Sequence, residues 1–509
     1  MSVIVSVWGD PAQWDPVRYY VEDMRSGDFK LLNRKYRSTL GALMEFYSDA
    51  KVLLFVASTL VRFSGKVFER YREVVDDVVS NVNEYLKSGD YCMDSERVEL
   101  RVLPGIGRFK PKSGNEAVNF IGNINAFRVA TSISAYEFIC RVKPETLILD
   151  ISHGVNYMPV YVRQSVYDAF NAYVALNGRS ARWVVYNSEP FSKDANVKNL
   201  QLNIVEDFEV NAVRAREHLY NDFESLYIDG NFKPYKPDVR GLESIREWRR
   251  LNEQTIRFVK FSIMGQIIPL IETMRELIRF EREKLMSELK RYSYLEDCDD
   301  IVKITSDRKS LNVQYLHAPQ YQTTLMMFIK DIVEKLSDRE IVEAKNGYEI
   351  EGLGKITEKF IREPGKTLIK NELFQIEERT ELCRELQLKL NEWVLYRAIT
   401  EVSERQVEFE GRKTKLITVY RNYKDKKVEE DKFKEIIMRE REGLQKDVKE
   451  FMKVKSIDKR NFIAHASLEG NVTLISIRDG KIYVKYSQEK AMRNQLEKIL
   501  GELIKQSSS

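Results

Sequence analysis

Cysteine and histidine are scarce, four of each in 509 residues. Cys92, Cys140, Cys298 and Cys383 stand far apart with no CxxC pair, so neither a zinc ribbon nor a disulfide framework is suggested. His153, His218, His317 and His465 include no pair at the HExxH spacing, and no metal ligand is assigned. Long apolar runs are also missing. Without a stretch of 18 apolar residues no membrane-spanning helix is expected. The first eight residues lack the basic flank and apolar core of a signal peptide, so the expected compartment is the cytoplasm. Nor does one charge dominate. With 82 basic and 78 acidic residues the net charge is +4, which argues against a histone-like polycation but leaves room for a local basic groove. Neither GxxxxGK[ST] nor GxGxxG occurs, which disfavours ATP hydrolysis on a P-loop and a dinucleotide site.

What is present is the composition of a folded protein, 43% hydrophobic and 31% charged, in a chain too long for one core. Two or three domains are expected. Strand-like runs at 2–8, 51–57, 98–103, 146–151 and 181–186 alternate with helical patterns at 33–48, 65–86, 119–142 and 165–176. That alternation predicts an α/β domain, a Rossmann-like, doubly wound parallel sheet over residues 1–200. From about Asp207 the pattern becomes helical, at 241–261, 264–288, 323–336, 371–403 and 431–454, with Pro269 kinking or beginning its helix. Strands at 472–477 and 481–486 flank Arg478-Asp479-Gly480, a hairpin signal, and a helix at 491–504 precedes a serine tail at 507–509. The expected division is a helical linker domain at 201–330 and a helical C-terminal domain with a β-hairpin at 331–509. The amphipathic middle helices carry more apolar surface than one isolated helix hides, and read as a coupling element.

Small and turn-forming residues gather at the ends of four predicted strands. Gly9, Asp10, Pro11 and Trp14 follow the first, and Ser58 and Thr59 the second. Gly105 and Gly107 follow the third, and Asp150-Ile151-Ser152-His153-Gly154-Val155-Asn156 closes the fourth. In an open parallel sheet, ligands bind at the carboxyl ends of the strands. Glycine there permits close backbone approach, and a following helix N-terminus offers free N–H groups to phosphate. The competing reading is that Asp150 and Ser152 cap a helix while Gly154 makes a turn.

The second constellation is Lys459-Arg460-Asn461-Phe462-Ile463-Ala464-His465. On a helix, Arg460 and His465 lie about 140° apart, so both reach one groove without sharing a face. Histidine moves protons near neutral pH, and arginine stabilises the charge that develops on a phosphorane-like transition state. RNA carries its own nucleophile, the 2′-OH, so this pair suits RNA cleavage without a metal. Lys453, Lys455 and Lys459 form a neighbouring basic run that could hold phosphates, or simply a solvated face.

These residues together resemble the CARF–HEPN ribonucleases of type III CRISPR systems. Trp8-Gly9-Asp10-Pro11, Leu103-Pro104-Gly105-Ile106-Gly107 and Asp150 to Asn156 are similar to the strand-end loops of the sensor (CARF) domain. Arg460-Asn461-Phe462-Ile463-Ala464-His465 matches the RNxxxH signature of the nuclease (HEPN) domain. The resemblance implies a cyclic oligoadenylate, most often cyclic tetra-adenylate, as allosteric activator bound by Gly9, Asp10, Trp14, Ser58, Thr59, Gly105, Gly107, Asp150, Ser152, His153, Gly154 and Asn156. It implies single-stranded RNA as substrate, with Arg460, Asn461 and His465 catalytic and no catalytic cofactor. It further implies a homodimer, or a higher oligomer of dimers, acting in antiviral defence. Two alternatives stay open: a transcriptional regulator built on the same sensor domain, and a ring nuclease that degrades the cyclic oligoadenylate.

Overall fold

Uninterrupted apolar runs such as Val3–Val5 and Val52–Ala57 require cover on both sheet faces, which helices supply in an α/β layer. The computed structural model describes residues 1–63, 66–88, 94–109, 117–154, 156–190, 199–226, 242–344, 346–390, 392–452 and 456–506. Cys92, Val155, Lys453, Lys455 and the 507–509 tail lie outside the described residues. The chain divides into two units, Met1–Asn252 with Phe280–Ile332, and Glu253–Arg279 with Val333–Ser509. The segment 201–330, expected as one linker domain, is therefore shared between the two.

The first unit begins β1 (Ser2–Trp8), β2 (Arg18–Glu22), β3 (Phe29–Leu31), α1 (Thr39–Phe46), β4 (Lys51–Ala57), α2 (Tyr71–Lys87) and β5 (Val98–Leu103). It continues with β6 (Gly107–Phe109), β7 (Ala117–Ile121), α3 (Ile124–Val142), β8 (Thr146–Asp150), α4 (Met158–Asn177), β9 (Ala181–Ser188), β10 (Asn199–Val210) and α5 (Ala212–Ser225). Eight strands form one sheet in the order β3-β2-β10-β9-β8-β1-β4-β5. The five from β9 to β5 are parallel, as the alternating pattern predicts. The sheet as a whole is mixed, because β10 runs antiparallel to β9 and β3 antiparallel to β2. β10 extends past Asp207, where the sequence reads as the start of the helical region; its NLQLNIVEDFEV carries charges on a half-exposed face and gives no strong apolar signal.

After β1 the chain adds β4 and β5 on one side, then returns to place β8 and β9 on the other. The reversal sits between β1 and β8, so a crevice opens at their carboxyl ends. A second sheet, β11-β12-β7-β6, uses β11 (Val302–Ser306) and β12 (Ser310–Tyr315), which follow α6 (Leu242–Met264), α7 (Ile267–Ile278) and α8 (Arg282–Tyr292). β7 takes residues expected in the 119–142 helix, which instead starts at Ile124 behind the capping side chain of Asn123. The single helix expected at 264–288 is two. Gly265, at φ +67°, turns the chain after α6, and Pro269 lies in the first turn of α7.

The second unit is mainly helical. Beyond α9 (Gln322–Leu336) come α10 (Arg339–Val342), β13 (Tyr348–Glu349), α11 (Ile350–Phe360), α12 (Gly365–Glu385), β14 (Val394–Leu395) and α13 (Tyr396–Ser403). β15 (Gln406–Phe409), β16 (Arg412–Lys415), α14 (Leu416–Lys424), α15 (Glu430–Phe451), α16 (Lys459–Ala464), β17 (Thr473–Arg478), β18 (Lys481–Tyr486) and α17 (Lys490–Gln506) complete the chain. The expected β17–β18 hairpin forms, and two-residue strands extend it to β13-β18-β17-β14. The long helix expected at 371–403 breaks after Glu385, and β14 and α13 follow.

Candidate functional sites

The strand-end residues of the first unit meet at the β1–β8 crevice. Asp150 is fully buried; its Oδ2 accepts from Ser6 Oγ (2.9 Å) and Thr39 Oγ1 (2.8 Å), and its Oδ1 from the Ser152 N–H (3.1 Å). Ser152 Oγ accepts from the Ser188 N–H at 3.0 Å. His153 Nε2 accepts from the Thr39 N–H at 3.2 Å, which requires a neutral ring, and burial lowers the His153 pKa in the same sense. Trp14 stacks on that imidazole at 4.0 Å and meets Trp8 edge-on at 5.3 Å. Asp150, Ser152 and His153 thus hold the loop after β8 against β1, β9 and the start of α1.

Gly9 and Gly154 lie face to face across the crevice, since a Cβ on Gly9 would meet the Gly154 backbone at 3.5 Å. Gly154 has φ +136°, a conformation for glycine. Asp10, Gly154 and Asn156 are exposed at the rim, and Asp10 Oδ1 also accepts from the Ala12 N–H at 3.1 Å. Ser58 Oγ accepts from the Gly105 N–H (2.9 Å) and pairs with the Tyr315 hydroxyl (2.8 Å). A Cβ on Gly105 would fall 2.5 Å from Thr59 Cγ2, so the loops after β4 and β5 are in backbone contact there. Gly107, at φ +146°, starts β6 beneath the Phe109 ring. One residue escaped the sequence reading. The Tyr157 hydroxyl accepts from the Ile106 N–H at 3.1 Å, joining the loop after β5 to the start of α4. The Tyr157 side chain does not cap α4, and Pro159 stands in its first turn.

The second constellation sits on α16, a helix of only six residues. Asp458 caps it, accepting from the Asn461 N–H at 3.0 Å, and Phe462 is the buried anchor. Arg460 and Asn461 are exposed. His465 is the C-cap, and two successive left-handed residues, Ala466 (φ 49°) and Ser467 (φ 70°), end the helix immediately after it. The Ser467 N–H closes on the Phe462 carbonyl at 2.9 Å. This tight reversal fixes the His465 backbone.

Its side chain is fixed as well. His465 Nδ1 lies 2.9 Å from Oε1 of Glu372 on α12, and Glu372 is buried while the imidazole is 45% exposed. The hydrogen bond to Glu372 raises the His465 pKa; burial opposes this, and the Glu372 and Glu469 charges reinforce it. Burial raises the Glu469 carboxyl in turn. With Nδ1 held, Nε2 is the nitrogen left for proton transfer. Glu372 lies 93 residues from His465, and no local pattern joins them. Lys459 pairs with Glu502 at 2.9 Å, so it is not a free phosphate ligand.

Comparison with known proteins follows the same two-part division. The family model described as CRISPR system endoribonuclease Csx1, CARF domain, matches residues 3–190, and that for its HEPN domain matches residues 362–489. The CRISPR system endoribonuclease Csx1 of Methanocaldococcus jannaschii is 26% identical over 208 residues, 40% of this chain and 40% of that protein. The aligned region thus spans well under two thirds of that relative. The first domain match carries the β1–β8 crevice and the second carries both Glu372 and the α16 motif. Matched by both domains of one family in that family's order, the chain belongs to the CARF–HEPN family of CRISPR-system ribonucleases.

Proposed function

We propose that the protein is a metal-independent endoribonuclease that cuts single-stranded RNA when a cyclic oligoadenylate, of the size of the tetra-adenylate ring, occupies the β1–β8 crevice. The observation that carries the reading is the held imidazole: a buried carboxylate on Nδ1, a half-exposed ring, and Arg460 and Asn461 exposed on the same short helix. In this reading His465 Nε2 moves the proton of the attacking 2′-OH or of the leaving 5′-oxygen. Arg460 offsets the charge that grows on phosphorus, and Asn461 donates to a phosphate oxygen. A two-fold homodimer would bring two such helices to one groove and two crevices to one ring, which has matching symmetry. The protein would act in the cytoplasm, in antiviral defence; no described helix is long and apolar enough to cross a membrane.

The test is cleavage of a fluorescent RNA with and without cyclic tetra-adenylate, in buffer containing EDTA. Activator-dependent products ending in 2′,3′-cyclic phosphate are expected from the wild type, and none from Arg460→Ala or His465→Ala. Complete loss with chelator, full activity of His465→Ala, or efficient cutting of single-stranded DNA would refute the mechanism. Disappearance of the cyclic oligoadenylate in the His465→Ala protein would instead assign ring-nuclease chemistry to the crevice.

A further inference from the structure

Beside the loop after β8, whose Ile151 lines part of it, a cavity of about 480 Å³ opens between α4 and α5 in the first unit. Three side chains in its wall converge. His218 and Asp222 lie four residues apart on α5, the spacing that puts two ligands on one helix face. Asp168, fully buried on α4, supplies the third group. His218 Nε2 stands 2.7 Å from Asp168 Oδ1 and 3.6 Å from Asp222 Oδ2, and the three donor atoms all lie within 4.8 Å of one another. Ligands bound at about 2.0–2.1 Å around a tetrahedral zinc sit about 3.3 Å apart, so small rotations of these side chains would complete the set.

Charge and room favour the same occupant. Two carboxylates share a single imidazole; of the two guanidiniums beside the cluster, Arg163 also pairs with Glu206 and Arg128 stacks on the Tyr321 ring at 3.9 Å, and neither makes an ion pair with Asp168 or Asp222 among the described contacts. The Tyr321 hydroxyl donates to Asp168 Oδ2, the outer-shell bond that orients a carboxylate ligand and leaves Oδ1 directed at His218. The cavity reaches the three groups from the side, which leaves space for water as a fourth ligand.

We infer that Asp168, His218 and Asp222 form a divalent-cation site of the zinc class, which clamps α5 to α4. Nothing in this site is shared with Arg460 or His465, and binding does not depend on the ribonuclease reading. Its consequence is mechanical. α4 begins directly after the loop that carries Gly154, so a cation here would stiffen the support of the crevice without taking part in RNA chemistry.

The experiment uses the untagged full-length protein, stripped with chelator and then dialysed. Zinc is titrated against a chromophoric competitor, and bound metal is counted by mass spectrometry. One zinc per chain is expected, with a rise in melting temperature. His218→Ala and Asp222→Asn should each weaken binding by more than about 100-fold, beyond what loss of an outer partner costs. Asp222 is part-exposed, so its isosteric change tests the site without unfolding the chain. His465→Ala should bind zinc as the wild type does. Cobalt substitution should give paramagnetically shifted ring signals that vanish in His218→Ala. Absence of stoichiometric binding, or binding undiminished in both α5 variants, would overturn the assignment.

Discussion

Replacing Glu372 by glutamine isolates what the buried carboxylate does for His465. The exchange keeps size and shape and allows one oxygen to accept from Nδ1, but removes the charge. A hydrogen bond between charged partners is worth about 1.5–3 kcal/mol and a neutral one about 0.5–1.5 kcal/mol. Solvent screening at a side chain 45% exposed trims the difference to about 0.7–1.4 kcal/mol. That corresponds to a roughly three- to tenfold change in rate. Because Glu372 raises the His465 pKa, the limb of the pH–rate profile that reports this histidine should move to lower pH in Glu372→Gln. Single-turnover cleavage of a fluorescent RNA between about pH 5 and 9 would measure it. Stability provides a second readout. A histidine whose folded pKa lies above its unfolded value stabilises the fold fully below about pH 6.5, and that contribution is lost as pH rises through the folded value. The variant should lack this pH-dependent increment in denaturant unfolding. An unshifted profile at the wild-type rate would show that Glu372 is a packing residue and that His465 is not poised by it.

Three further outcomes follow from the crevice. Gly154→Ala places a Cβ 3.2 Å from the Pro159 ring at φ +136°, so it should cost about 1–2 kcal/mol of stability and raise the half-activating concentration of cyclic tetra-adenylate; unchanged activation would put the ring elsewhere. Gly105→Ala must displace Thr59, for about 1–3 kcal/mol, and a wild-type melting temperature would contradict the contact between the loops after β4 and β5. Asp150→Ala strands the Ser6, Thr39 and Ser152 donors and should destabilise the first unit by about 3 kcal/mol in denaturant titration, whereas a change below about 0.5 kcal/mol would mean that the loop is held by other bonds.

How far the fold can be read along the chain depends on burial. β1 and β4 have the ends expected for them because strands covered on both faces are apolar nearly throughout, and β5, a half-exposed edge strand, is marked by the Pro104-Gly105 turn that follows it. β2, β3, β6, β7, β11 and β12 are short or buried on one face only, and the pairings that tie them into sheets, β2 with β10 and β7 with β12, join distant stretches of chain, so they carried little local signal. The α16 motif was visible for the opposite reason, since its residue types are chemically specific and close together. The sequence alone therefore determined the five parallel strands of the first unit, the loops at their ends, and the closeness of Arg460 and His465 on one short segment. Only the tertiary structure decided that β10 runs antiparallel, that Glu372 holds His465 across 93 residues, and that Asp168 meets His218 across 50. Periodicity records which face of an element is buried; which distant side chain is buried against it depends on how the elements pack.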